Sequence, residues 1–188
     1  MTDAALAGAW IDAALDVRIR AALGAIYDAV ADEVAARRPL CLASGHCCQF
    51  ERYGHRLYVS GLEAAVTMLE RQEAGAPCGP SDVAAARAAG TCPFLRDGRL
   101  CGAHAWRPLG CRVYFCDRTA GTGGDPSWQE TLYERLHAAI KSLHEEFGVP
   151  YRYGEWRDLL GILAAPATTG ARGPEPADAD PRAADRSG

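Results

Sequence analysis

Seven of the eight cysteines in this 188-residue chain fall in two clusters, Cys41, Cys47 and Cys48, then Cys92, Cys101, Cys111 and Cys116. Thiolates are soft ligands for zinc, copper(I) and iron–sulfur clusters, and drawing them from two separated segments is how a fold builds a polythiolate cage. An even number of cysteines also permits a disulfide framework in an exported protein. Residues 1–15 argue for the metal instead, because they carry Asp3 and Asp12, no basic leading region and no unbroken apolar run. The expected compartment is therefore the reducing cytoplasm. Cys47 and Cys48 are adjacent, where a mutual disulfide is strained but two coordination positions are readily supplied.

Which metal is a closer question. Structural zinc sites favour C-x₂₋₄-C knuckles, and only Cys111 and Cys116 approach that spacing. The scattered pattern fits an iron–sulfur cluster somewhat better, with zinc the alternative. Seven cysteines exceed the four that one tetrahedral zinc or one four-iron cluster needs, so some are spare or two metals bind. Arg107 and Arg112 flank Cys111 and are candidates to donate hydrogen bonds to the sulfurs, offsetting the negative charge gathered there. Their plainer role is surface ion pairing. Cys78 lies alone in a Gly/Pro loop and reads as a free thiol, while His137 and His144, seven apart beside an apolar stripe, read as solvated.

Helices must position these thiols. Apolar residues Ile11, Leu15, Ile19, Ala22, Ile26, Val30 and Val34 recur at three- and four-residue spacing, which predicts one amphipathic helix over about 4–36, packed on the core or forming a dimer surface. The cysteine-bearing core runs from 40 to 118. Within it, Arg56 to Ser60 is extended, and Ser60-Gly-Leu-Glu63 is a capping box opening a helix to about Glu73 with Leu62, Val66 and Leu69 inward. Ser81-Asp82 is expected to cap a short Ala-rich helix ending near Gly90. From Thr91 to Arg118 no period persists and Pro93, Gly98, Gly102, Pro108 and Gly110 impose turns, so a bound metal is expected to order this stretch. A second capping box, Ser127 to Glu130, opens a helix over about 126–147 with Trp128, Leu132, Leu136, Ile140, Leu143 and Phe147 inward. A last helix covers about 155–164, and 165–188 is expected to be a disordered tail.

The ordered set Gly45-His46-Cys47-Cys48, Cys92-Pro93-Phe94-Leu95, Cys101 and Arg107-Pro108-Leu-Gly-Cys111-Arg112 resembles the YkgJ family of cysteine-cluster proteins, described as a putative zinc- or iron-chelating domain with a CxxCxxCC signature. The resemblance covers roughly residues 40–118 and implies a metal-chelating domain. Ser44 stands where that family has a cysteine, and Cys116 is a candidate to replace the missing thiolate. His104 stands where an aromatic residue is common, and is a candidate ligand or a packing residue.

No phosphate loop, dinucleotide fingerprint, nucleophile elbow or H-E-x-x-H motif is present, and the C-x-x-x-C-x-x-C of radical SAM enzymes is absent. A cysteine nucleophile paired with His46 or His104 uses the same thiols less economically than coordination does. A net charge of −4 gives no broad attraction to nucleic acid, and no apolar run reaches the ~18 residues of a membrane span. The reading is a mainly α, single small helical domain over 1–164, around an irregular, metal-stapled cysteine-rich centre. Its function is metal binding on a polycysteine site, with electron transfer as one use. A structural zinc module that docks a protein partner and an enzyme using the cluster as a redox centre are the alternatives.

Overall fold

Asp16 divides the N-terminal amphipathic segment in two. The computed structural model describes residues 1–115 and 127–165, and in it α1 (Asp3–Leu15) stops at Asp16, whose extended backbone and carboxylate, accepting the Arg18 N–H at 2.8 Å, cap α2 (Val17–Arg37). The single helix expected over 4–36 is corrected by that cap: a short acid able to bond the amides ahead of it competes with helix continuation. The break also turns the inward face. In α1 the core takes Leu6, Trp10, Ala13 and Ala14, leaving Ile11 and Leu15 41% and 59% exposed, whereas α2 keeps the expected stripe around Ile19 and Val30.

The remaining elements follow as α3 (Phe50–Tyr53), β1 (Tyr58–Ser60), α4 (Gly61–Glu73), α5 (Pro80–Ala88), β2 (Leu95–Arg96), β3 (Leu100–Cys101), α6 (Leu109–Val113), α7 (Trp128–Glu146), β4 (Tyr153–Glu155) and α8 (Trp156–Ala164). The protein is mainly helical, with two small antiparallel pairs among the described residues, β1 with β4 and β2 with β3. Buried side chains from both ends of the chain join one continuous core. Its tightest point is Trp10 against Gly61, where a Cβ would come within 2.1 Å of the indole. The indole N–H donates to the Pro150 carbonyl at 2.8 Å, tying α1 to the approach of β4. No helix among the described residues is long and apolar enough to cross a membrane.

The capping box at Ser60 forms as expected, with Glu63 accepting the Ser60 N–H at 2.9 Å. Two other caps differ. Gly79, not Ser81, precedes α5, because Pro80 takes the first helical position and the Asp82 carboxylate reaches back to the Gly79 N–H at 2.7 Å. Ser127 has helical dihedrals instead of the extended backbone of a cap, so the box expected from Ser127 to Glu130 is not adopted. Helix α7 nonetheless buries Trp128, Leu132, Leu136, Ile140 and Leu143. Pro126, Cys116 and the tail expected from 165 lie, apart from Ala165, outside the described residues.

His144 is buried rather than solvated, because the chain after Gly148 folds back and the Val149 carbonyl lies 3.2 Å from Nδ1. Burial lowers its pKa below the ordinary 6.5. The unfolded chain then takes up a proton that the folded one refuses, so stability is fully present above pH 6.5 and falls as pH drops through 6.5 toward the folded pKa. His104 and His137 are lowered by burial in the same direction. Thermal melting from pH 7.5 to 5.5 is expected to show a falling midpoint, and His144→Gln to flatten that slope while keeping one polar contact to Val149. An unchanged slope in the variant would show that His144 does not carry it.

Candidate functional site

Two held segments meet to form the cysteine centre. The first enters through Gly45, in the left-handed region at φ 71°, whose Cα faces Arg99 so closely that a Cβ would stand 2.5 Å from the Arg99 Cα. A short 3₁₀ turn, His46–Cys48, then presents Cys47 and Cys48. Phe50 at the start of α3 is buried, and the 2%-exposed Arg157 of α8 lies over its ring while pairing with Glu155 at 3.0 Å and Glu51 at 2.9 Å. This anchors the first segment to α8. The two segments join directly through Cys92 N–H to the Cys48 carbonyl at 2.8 Å and Gln49 Nε2 to the Gly98 carbonyl at 3.0 Å.

The second segment is held by α4, a role the sequence did not disclose. Glu63, Thr67 and Arg71 recur every four residues along one face of that helix, and all three are buried. Glu63 accepts the Leu109 N–H at 2.8 Å, Thr67 donates to the Trp106 carbonyl at 2.8 Å, and Arg71 donates to the Gly102 carbonyl at 2.6 Å. Arg71 also lies 4.6 Å over the Phe94 ring. The stretch expected to depend on metal for its order is therefore held by side chains, with the β2–β3 pair and α6 as its regular parts. Turn residues hid this because the ordering groups lie thirty to fifty positions away.

Between the segments lies a cavity of about 20 Å³, lined by Cys47, Cys48, Cys92, Cys101 and Cys111 together with Arg107, Phe50, Phe94 and Trp156. That is room for one water-sized body. Cys48 is the hub, the thiol on which Cys101, Cys47 and Cys92 all act. Those neighbours push its pKa strongly up, while contact with Cys48 pulls Cys47 and Cys101 down, helped by the Arg107 charge. Burial pushes Cys111 up. Among the described residues no three His, Cys, Asp or Glu side chains stand arranged ready to enclose a metal ion. The five thiols line one cavity, a donor set that a soft ion would draw together as it displaces protons.

Each expected site residue has a definite place. Five of the pool converge as described. Cys41 is exposed on the wall of a larger adjoining cavity, and Cys116 is outside the described residues. Arg107 reaches the centre, and its Nε is buried with no partner among the described residues. Arg112 does not face the sulfur cavity: it donates to the carbonyls of Arg107 and Ala105 and lies 4.1 Å over the Tyr27 ring. It braces the loop that carries Arg107. Among the described residues neither arginine pairs with a carboxylate. His104 is exposed at the edge of the larger cavity, and Ser44 lines that cavity near Cys47. Cys78 is buried, with Cys92 among the charges acting on it, and its thiol is raised to about 11 by burial. Comparison of the chain with protein-family models, curated proteins and solved structures returns no match.

Proposed function

We propose that this protein is a cytoplasmic metal-binding protein that holds one soft metal ion on Cys47, Cys48, Cys92 and Cys101, with Cys111 as a fifth sulfur beside them. The observation that carries the reading is the convergence of Cys47, Cys48, Cys92, Cys101 and Cys111, drawn from both segments, on one small cavity. The 20 Å³ of that cavity accepts a single ion and has no room for a four-iron cluster without widening. Its size favours zinc over the iron–sulfur cluster that the ligand spacing suggests. The motif resemblance to the YkgJ family supports the same class of protein, a small chelating domain.

Arg107 fits this role. Four thiolates around a divalent ion carry a net charge of about −2, and a guanidinium with an unpaired buried Nε beside them offers a compensating hydrogen bond. When bound, the ion would supply rigidity between the two segments and, if one sulfur gives way, a Lewis-acid position open to the larger cavity. A metal-stapled module that docks a protein partner is the second reading, favoured by the exposed Ile11, Leu15 and Val17 along the first two helices.

The test is metal analysis of anaerobically purified protein. A colourless protein with about one zinc per chain is expected. Visible sulfide-to-iron absorbance with about four irons and four sulfides would replace the single ion by a cluster and turn attention to electron transfer. Protein that folds and binds neither would overturn the metal reading itself.

A further inference from the structure

The larger cavity beside the cysteines has a volume of about 760 Å³. That lies in the range of about 300–1,000 Å³ typical of small-molecule sites. Its composition is specific. One wall is a continuous run of four tyrosines from four separate elements or their edges: Tyr58 stacks on Tyr153 at 5.8 Å, Tyr153 and Tyr133 share a hydroxyl contact of 2.6 Å, and Tyr133 meets Tyr114 at 5.6 Å. Tyr58, Tyr114 and Tyr153 each remain about two-fifths exposed, so aromatic faces are turned to an open concavity rather than packed away. The same cavity is lined by Arg56, Arg99 and Arg107, by thiols of the cysteine centre at its inner edge and, among the described residues, by no Asp or Glu.

We propose that this cavity binds a small anion with a flat apolar body, the body lying on the tyrosine wall and the carboxylate or phosphate meeting the arginines. Tyrosine presents a large rigid face with little conformational entropy to lose. Arginine's planar fork matches a two-oxygen anionic group. An aromatic wall alone would equally suit a cation held by ring faces; Arg56 is engaged by Glu51 at 3.7 Å, but the Arg99 and Arg107 guanidiniums, with no lining carboxylate among the described residues, oppose one. Arg99 is the cleanest anchor. It is exposed on the β2–β3 turn and, among the described residues, forms no ion pair. Recognition here uses Arg99 and the tyrosines, none of them a proposed metal ligand, so binding is expected with or without metal even though Arg107, Cys47, Cys48, Cys101 and Cys111 border both cavities.

Titration calorimetry with 2-naphthoate, naphthyl phosphate, neutral 2-naphthamide and a naphthylmethyl-trimethylammonium salt tests it, on metal-free and metal-loaded protein alike. One of the two anions is expected to bind with a sub-millimolar Kd and at least tenfold more tightly than the amide, and which anion wins identifies the headgroup. Arg99→Gln is expected to cost about tenfold for the anion and leave the amide unchanged, whereas Tyr58→Ala, also exposed, weakens both. Equal binding of amide and anions, tightest binding of the ammonium salt, an unchanged Arg99→Gln variant, or no binding at millimolar probe by protein with a native melting profile would each overturn the proposal. Binding only in the metal-loaded form would overturn its independence from the sulfur site and assign the anion to the metal.

Discussion

Cys48→Ser is expected to weaken metal binding about a hundredfold, whereas Cys41→Ser leaves it intact. Cys48 shares the small cavity with four other thiols from both segments, and its loss removes one of the four proposed donors. Structural zinc in small sites binds with roughly 10–16 kcal/mol, so one ligand of four carries on the order of 3 kcal/mol, or about a hundredfold in affinity. Competition against a chelating dye reads that change directly. Cys41 is exposed and lines only the wider cavity, so its variant should behave as the parent. Equal loss in both variants would mean that the segment before Gly45 closes onto the metal, and the assignment of the four inner sulfurs would fail.

The second large effect concerns stability and needs no metal. Glu63→Ala is expected to destabilise the fold by about 3–5 kcal/mol, because it strands two buried amides, of Ser60 and Leu109, at roughly 1–3 kcal/mol each and removes the acceptor of the Ser60 hydroxyl as well. Glu63→Gln retains one carbonyl oxygen and should fall between the variant and the parent. Urea denaturation of metal-free protein measures both. A loss below about 1 kcal/mol for Glu63→Ala would show that water replaces the carboxylate and that the loop is ordered some other way.

The sequence carried the elements whose signal is local. The Ser60 capping box and the apolar stripes of α7 and α8 form as expected, and five of the seven cysteines grouped from sequence, Cys47, Cys48, Cys92, Cys101 and Cys111, line one small cavity, with Cys41 outside it. What it hid has physical reasons. The break at Asp16 is silent because an aspartate that caps a helix and one that decorates its solvent face look alike, and the three- and four-residue apolar spacing continues across the bend. Glu63, Thr67 and Arg71 occupy spacing that normally marks a wet face, yet they face carbonyls and amides of a loop. The tyrosine wall is assembled from positions 58, 114, 133 and 153, with no common period to announce it. Arg112 was placed with Arg107 by proximity in sequence, but one helical turn aims it at Tyr27 instead.

The row on α4 also sets a length. Glu63 and Arg71 are two turns apart, about 12 Å of helix axis at ~1.5 Å per residue, and the chain from Gly102 to Leu109 is measured off against that distance by its end contacts. Side chains in this loop can drift while its residue count cannot. Insertions and deletions should accumulate instead in the turn between α4 and α5, where Gly75 has open space around it and neither cavity is lined. The helix thus acts as a gauge for its loop, and relatives of this chain would be recognisable by conserved spacing even where conserved identity has faded.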